Sequence, residues 1–303
     1  MAIRIPSPAI GGYAADPQVV SAVRTASVAT GTGFDTLMAS AEMESGLNPG
    51  AKARTSSASG LFQFTEQTWL ATVKQFGAAQ GLQAAAAAIV PHDGQLTVAD
   101  PTERQRILNM RFDPAISSMM AGDHLKDLAG NLAIRLGRPP DAAETYLAHF
   151  LGASGAAQML KAAQATPDVP AARILPAAAK ANPAAFTMAD GTPRSAVQFV
   201  QRIRDRVNQA FQSIGSVPPE GALPFGQSTG TSVAAVSAGP MSSRWYALAV
   251  SSRTTSERAM AASLLDVFTR LDQSKESSQG PREKKDHGLP FGLVSTLAAV
   301  SGT

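Results

Sequence analysis

Between Pro114 and Leu136 the chain places Ile116, Met119, Met120, Ala121, Leu125, Leu128, Leu132 and Leu136 at three- and four-residue intervals. That spacing brings apolar side chains to one side only if the backbone is an α-helix. So broad a stripe has to be covered by other elements, which makes this segment the predicted central helix of a helical core. Met119 and Met120 are read as packing groups. Helical patterns are also predicted over 17–30, 67–77, 101–111, 141–151, 153–165 behind a Gly152-x-x-Gly155 turn, and 173–181. Phe199, Ile203, Val207 and Phe211 form a four-residue stripe able to dock on the core. The alanine run 84–88 is read as plain helix, and Trp69, on one face with Val73, as core. Strand signals are confined to 57–64, so a mainly α fold with at most a small β-hairpin is expected.

After Phe211 serine, glycine and proline dominate through residue 240, the composition of a flexible connector. The chain therefore divides into an N-terminal extension (1–14), a helical domain (15–212), a linker (213–240) and a tail (241–303). One amphipathic helix is expected in the tail at about 245–272, around Leu264, Leu265, Val267, Phe268 and Leu271, with the remainder disordered. Leu-Pro-Phe-Gly occurs twice, at 223–226 and 289–292, and marks the tail as a candidate docking segment for a protein partner.

Within the domain, Phe34, Leu37, Met38 and Ala41 carry one helical stripe, and Glu44 follows Leu37 by seven residues on nearly the same azimuth. Glu42 is rotated away and expected to face water. Thr32 is the expected N-cap, with Asp35 three residues on, and Gly46 with Pro49 supplies the stop. Glu44 thus ends an apolar stripe beside the negative end of the helix dipole, and both surroundings favour the uncharged acid. Such a group can donate a proton to a leaving oxygen and later take one back.

Glu44-Ser45-Gly46-Leu47-Asn48-Pro49, then Ala58-Ser59-Gly60-Leu61-Phe62-Gln63-Phe64, then Thr68-Trp69, and finally Tyr146 ahead of Ala148-His149-Phe150-Leu151-Gly152 resemble the soluble lytic transglycosylase (SLT) domain of the goose-type lysozyme superfamily. The A-H-F-L-G form is similar to its phage-lysin-like subgroup. The resemblance spans roughly residues 30 to 165. It implies a lysozyme-like helical domain in which Glu44 is the single catalytic acid/base, while Ser45, Gly60, Phe62 and Gln63 line the sugar groove and Tyr146 or His149 orients Glu44. Phe62 and Phe64 alternate about Gln63, so if Gln63 faces the groove the rings turn from it.

Hydrolytic glycosidases normally need a second carboxylate. Asp35 lies at the far end of the helix, Glu42 on the wrong face, and Glu66 where it would open the next helix; only Asp93, in a Pro-His-Asp-Gly turn, is not excluded. A one-carboxylate site suits a substrate that carries its own nucleophile, as peptidoglycan does in the muramic acid C6 hydroxyl. The resemblance implies that reaction, cleavage of the β-1,4 bond between N-acetylmuramic acid and N-acetylglucosamine with a 1,6-anhydro product. A water-using muramidase, and an inactive wall-binding component of a phage tail or of a flagellar or secretion apparatus, are the alternatives.

The chain has no cysteine, which excludes thiolate chemistry and disulfides. His92, His124, His149 and His287 show no ligand spacing, and no metal or cofactor is implied. A net charge of +3 is too small for nucleic-acid binding; Arg202, Arg204 and Arg206 are read as a solvated helix face. No eighteen-residue apolar run occurs, so no integral membrane segment is expected. Residues 1–8 lack the apolar core of a secretory signal. The expectation is a protein that acts on the cell wall after specialised export, carriage in a virion or release on lysis, with peptidoglycan glycan strands as partner.

Overall fold

A computed structural model of the chain describes residues 9–10, 13–54 and 56–221. The repeated Leu-Pro-Phe-Gly segments and the amphipathic stretch at 245–272 lie outside the described residues. The described part is mainly helical. A two-residue pair, β1 (Ala9–Ile10) with β2 (Tyr13–Ala14), precedes α1 (Pro17–Thr30), which starts where the Asp16 side chain accepts the Gln18 amide and stops at left-handed Gly31. The next helix, α2 (Phe34–Ser45), ends at Gly46, φ 61°. It is followed by α3 (Glu66–Phe76), capped by Thr65, and α4 (Gln83–Ala88).

The expected strand region at 57–64 forms only isolated bridges, Lys52 to Ser59 and Ser59 to Phe64. A regular antiparallel hairpin lies elsewhere, in β3 (Ile89–His92) and β4 (Gln95–Val98). Its two-residue turn is Asp93-Gly94, both at positive φ, as a type I′ turn requires. After α5 (Pro101–Asn109) and a 3₁₀ turn over Met110–Phe112 comes α6 (Pro114–Leu136), capped by Asp113 and closed by Gly137. Next, α7 (Ala142–Ala165) carries a kink at Gly152, whose φ of 70° and ψ of 159° are not helical. The single helix expected at 173–181 is broken into α8 (Ala171–Ile174) and α9 (Pro176–Ala181), because Pro176 restarts it. Two further helices, α10 (Pro183–Phe186) and α11 (Ala196–Ser213), complete the described part.

The long helix α6 packs along α1 and α7, and α11 closes over α7 and α2. Met120, Leu125, Leu128 and Leu132 of α6 are buried, as are all four members of the α11 stripe. Trp69 is fully buried and donates its indole N–H to the Ile107 carbonyl at 2.7 Å. Thr32 is not a cap. Gly33 holds the N-cap position, and the Thr32 hydroxyl donates instead to the Gly122 carbonyl at 2.9 Å, pinning the start of α2 to α6. At that crossing a Cβ on Gly122 would stand 2.4 Å from Thr30 Oγ1, so only glycine allows α1 and α6 to approach so closely. Among the described residues no helix is long and apolar enough to cross a membrane.

Candidate active site

Glu44 is 4% exposed, in the last turn of α2. Left-handed Gly46 terminates the helix, its N–H bonding the Glu42 carbonyl at 2.9 Å. Ser45 Oγ lies 2.7 Å from the Leu61 carbonyl and accepts the Asn48 amide at 3.1 Å. Its hydroxyl therefore ties the helix end to the Gly60–Phe64 loop. Glu42 does not simply face water: it is partly buried, its Oε2 is sealed without a partner, and burial raises its pKa.

The loop is held from below by a residue that sequence reasoning missed. Arg111 Nη1 donates to the carbonyls of Ser57 (2.7 Å) and Phe64 (3.1 Å), and Nε to that of Leu108 (2.9 Å). The Arg111 carbonyl presses against Gly60, where a Cβ would fall 1.9 Å from it, and Gly60 has φ 83°. Gln63, also left-handed at φ 46°, donates its amide to the carbonyls of Gly60 (2.9 Å) and Ala51 (3.3 Å). Its N–H groups thus secure the loop. Phe62 and Phe64 are both buried in the core, Phe64 edge-on to Trp69 at 5.2 Å. Phe62 accordingly supports the loop from behind.

The third sequence element arrives on α7. The Tyr146 hydroxyl donates to Glu44 Oε1 at 3.1 Å, and His149 Nε2 stands 3.6 Å from the same oxygen. Of the two candidates for orienting Glu44, Tyr146 has the hydrogen-bonding distance. Burial, with the Glu44 charge adding and Arg206 opposing, pushes the Tyr146 phenol well above its ordinary value, so it stays a donor at any physiological pH. Among the described residues Glu44 Oε2 takes no protein hydrogen bond, yet it is not sealed from solvent. One oxygen is held and the other is reachable.

Two more residues complete the surroundings. Arg206 is not on a solvated face: it is 8% exposed, donates to the Met43 carbonyl at 3.0 Å, and sets its guanidinium 5.9 Å from the Tyr146 ring centre. His124, on α6, packs its ring 5.9 Å from Phe64 and 5.8 Å from His149. Both were legible in principle, since Arg206 lies seven residues after Phe199 and His124 four after Met120, on the buried stripes of their helices. Arg111 had no such signal.

The other acids are placed elsewhere. Asp93 is at the hairpin tip, 91% exposed beside His92. Glu66 opens α3 and pairs with Arg104 at 2.6 Å, and Asp35 accepts the Ser216 hydroxyl at 2.8 Å. Glu144 is buried and doubly bonded by Arg138 at 2.7 and 2.8 Å, with Arg204 at 3.6 Å. No family model matches the chain.

Proposed function

We propose that this protein is a peptidoglycan lytic transglycosylase built on a lysozyme-like helical domain, with Glu44 as its single general acid/base. The observation that carries the reading is convergence. Three separate motifs come together around the end of one helix: Ser45, next to Glu44, holds Leu61 of the glycine loop, the Tyr146 hydroxyl bonds Glu44 Oε1, and His149 Nε2 stands 3.6 Å from that oxygen. A stability role alone gives no reason for a buried carboxyl with one fixed and one accessible oxygen.

In the proposed reaction Glu44 Oε2 gives its proton to the glycosidic oxygen as the bond from the muramic acid anomeric carbon breaks. The resulting carboxylate then accepts the proton of the C6 hydroxyl, whose oxygen bonds to that carbon. The product is a 1,6-anhydro sugar, no water is consumed, and Glu44 ends protonated. Tyr146 keeps Oε1 occupied, which directs the chemistry to Oε2. Among the described residues no second acid touches Glu44, and Glu42 is turned roughly 200° around the helix from it. This favours the one-carboxylate route over a muramidase.

Mass spectrometry of the soluble fragments from purified peptidoglycan, digested by the wild type and by Glu44→Gln, tests the proposal. Anhydro products from the wild type, falling by ~100-fold or more in the variant, are expected. Products one water heavier would replace the transglycosylase with a muramidase, and no release by either protein would leave a wall-binding component.

A further inference from the structure

We infer that His124 is a ligand-contacting residue of this site, hydrogen-bonding an amide or hydroxyl group of an N-acetylated sugar bound beside Glu44. The inference rests on the glycan-cleaving reading above and extends it to α6, a helix that none of the sequence motifs touches.

The first ground is position. His149 Nε2 is 3.6 Å from Glu44 Oε1, the His149 ring meets the His124 ring edge to face at 5.8 Å, and His124 meets Phe64 at 5.9 Å. Glu44 of α2, His149 of α7, His124 of α6 and Phe64 of the glycine loop therefore form one continuous series of contacts, with buried Phe64 at its inner end.

The second ground is hydrogen bonding. A histidine used only as core filler has its ring nitrogens satisfied by protein groups. Among the described residues His124 makes ring contacts but no hydrogen bond, and neither of its nitrogens is sealed from solvent. His149 differs, because its Nδ1 is shut in without a partner. Both nitrogens of His124 are thus open to a ligand, together with Nε2 of His149, which stands 3.6 Å from Glu44 Oε1.

Chemistry then narrows the ligand. Burial first, and the neighbouring His149 second, push the His124 pKa down to about 3, so the ring is neutral wherever an enzyme of this kind works. A neutral imidazole offers one donor and one acceptor. That matches acetamido and hydroxyl groups, which need both, and gives no attraction for an anion.

The test uses the full chain carrying Glu44→Gln, which binds without turnover, and a tetramer of N-acetylglucosamine. With only four histidines, the imidazole Cε1–H resonances can be assigned by substitution and followed by NMR during titration. The His124 resonance is expected to shift saturably while that of His92 stays still. Adding His124→Phe, which keeps the ring packing and removes the nitrogens, should weaken tetramer binding about threefold to tenfold, the worth of one neutral hydrogen bond. His124→Gln should retain part of the affinity. A tetramer that moves the His149 resonance and leaves that of His124 unmoved overturns the inference alone, as does unchanged affinity in the Phe variant. If the Phe variant does not fold, the titration of the Glu44→Gln protein decides by itself. Should the tetramer move no resonance and the wild type release nothing from peptidoglycan, the function itself falls and takes this inference with it.

Discussion

The Tyr146 hydroxyl and the Glu44 carboxyl are separated by 102 positions in the chain and by 3.1 Å in the fold. Because this bond fixes one oxygen of the acid, its loss should act on turnover and not on substrate affinity. Tyr146→Phe keeps the ring and deletes the donor. Release of soluble fragments is expected to fall about 10- to 100-fold in kcat, the range of a hydrogen bond to a charged group, with KM within about threefold. A rise in KM at unchanged kcat would place Tyr146 on the substrate instead.

Gly60 is predicted to tolerate no side chain. Gly60→Ala puts a Cβ 1.9 Å from the Arg111 carbonyl and a non-glycine residue at φ 83°. Left-handed strain alone costs about 1–3 kcal/mol, and the clash adds to it. Thermal unfolding should therefore drop by at least about 4 °C, taking ~2–4 °C per kcal/mol for a domain of this size.

Arg206→Met tests the clasp of α11 on α2, the helix that carries Glu44. Met preserves apolar bulk but leaves the Met43 carbonyl without its donor. A loss of about 1–3 kcal/mol in denaturant unfolding is expected. Turnover should fall as well, because the helix end carrying Glu44 is freed. Arg206→Lys, able to keep one bond, should fall between.

His124 and Glu144 contribute to the acid side of the stability profile in different windows. His124 has a folded pKa of about 3 against an ordinary 6.5; below 6.5 the unfolded chain takes up a proton that the folded one does not, so stability declines as pH falls from 6.5, by at most ~1.4 kcal/mol per pH unit. His124→Phe should flatten the melting temperature between pH 7 and pH 5.

Glu144 acts lower. Burial would raise its pKa, but the Arg138 hydrogen bonds and the Asp141 amide outweigh burial and hold it below the ordinary 4.5. Its contribution is present above 4.5 and is lost as pH falls through the folded value. Glu144→Gln should be less stable than wild type at pH 7 and show a smaller decline below pH 4.5.

Helix boundaries were readable wherever two local signals agreed. Asp16-Pro17 and Asp113-Pro114 opened helices that Gly31 and Gly137 closed, because a cap, a proline and a glycine act through backbone chemistry alone. Thr32 misled for a tertiary reason: its hydroxyl found the Gly122 carbonyl of α6, and no local rule contains that helix. The β3–β4 hairpin lacked clean alternation, although Asp93-Gly94 carried its turn signal. At the site, Glu44 was visible from its azimuth and its motif. Arg206 was read as part of a solvated face because a run of arginines suggests one, and His124 was weighed only for metal-ligand spacing, although here Arg206 is buried and His124 packs its ring against Phe64 and His149.

The bond from Arg206 to the Met43 carbonyl spans 163 positions, and under the proposed function this bears on when the chain could first act. Long-range contacts form only after the intervening chain is available. During synthesis the carboxyl group of Glu44 is made early, the hydroxyl that fixes it more than a hundred residues later, and the guanidinium that secures its helix later still. A chain stalled or cleaved before residue 206 would carry every sequence motif of the proposed enzyme and lack the clasp that holds its acid in place, so wall-cutting activity should appear only once the domain is nearly finished.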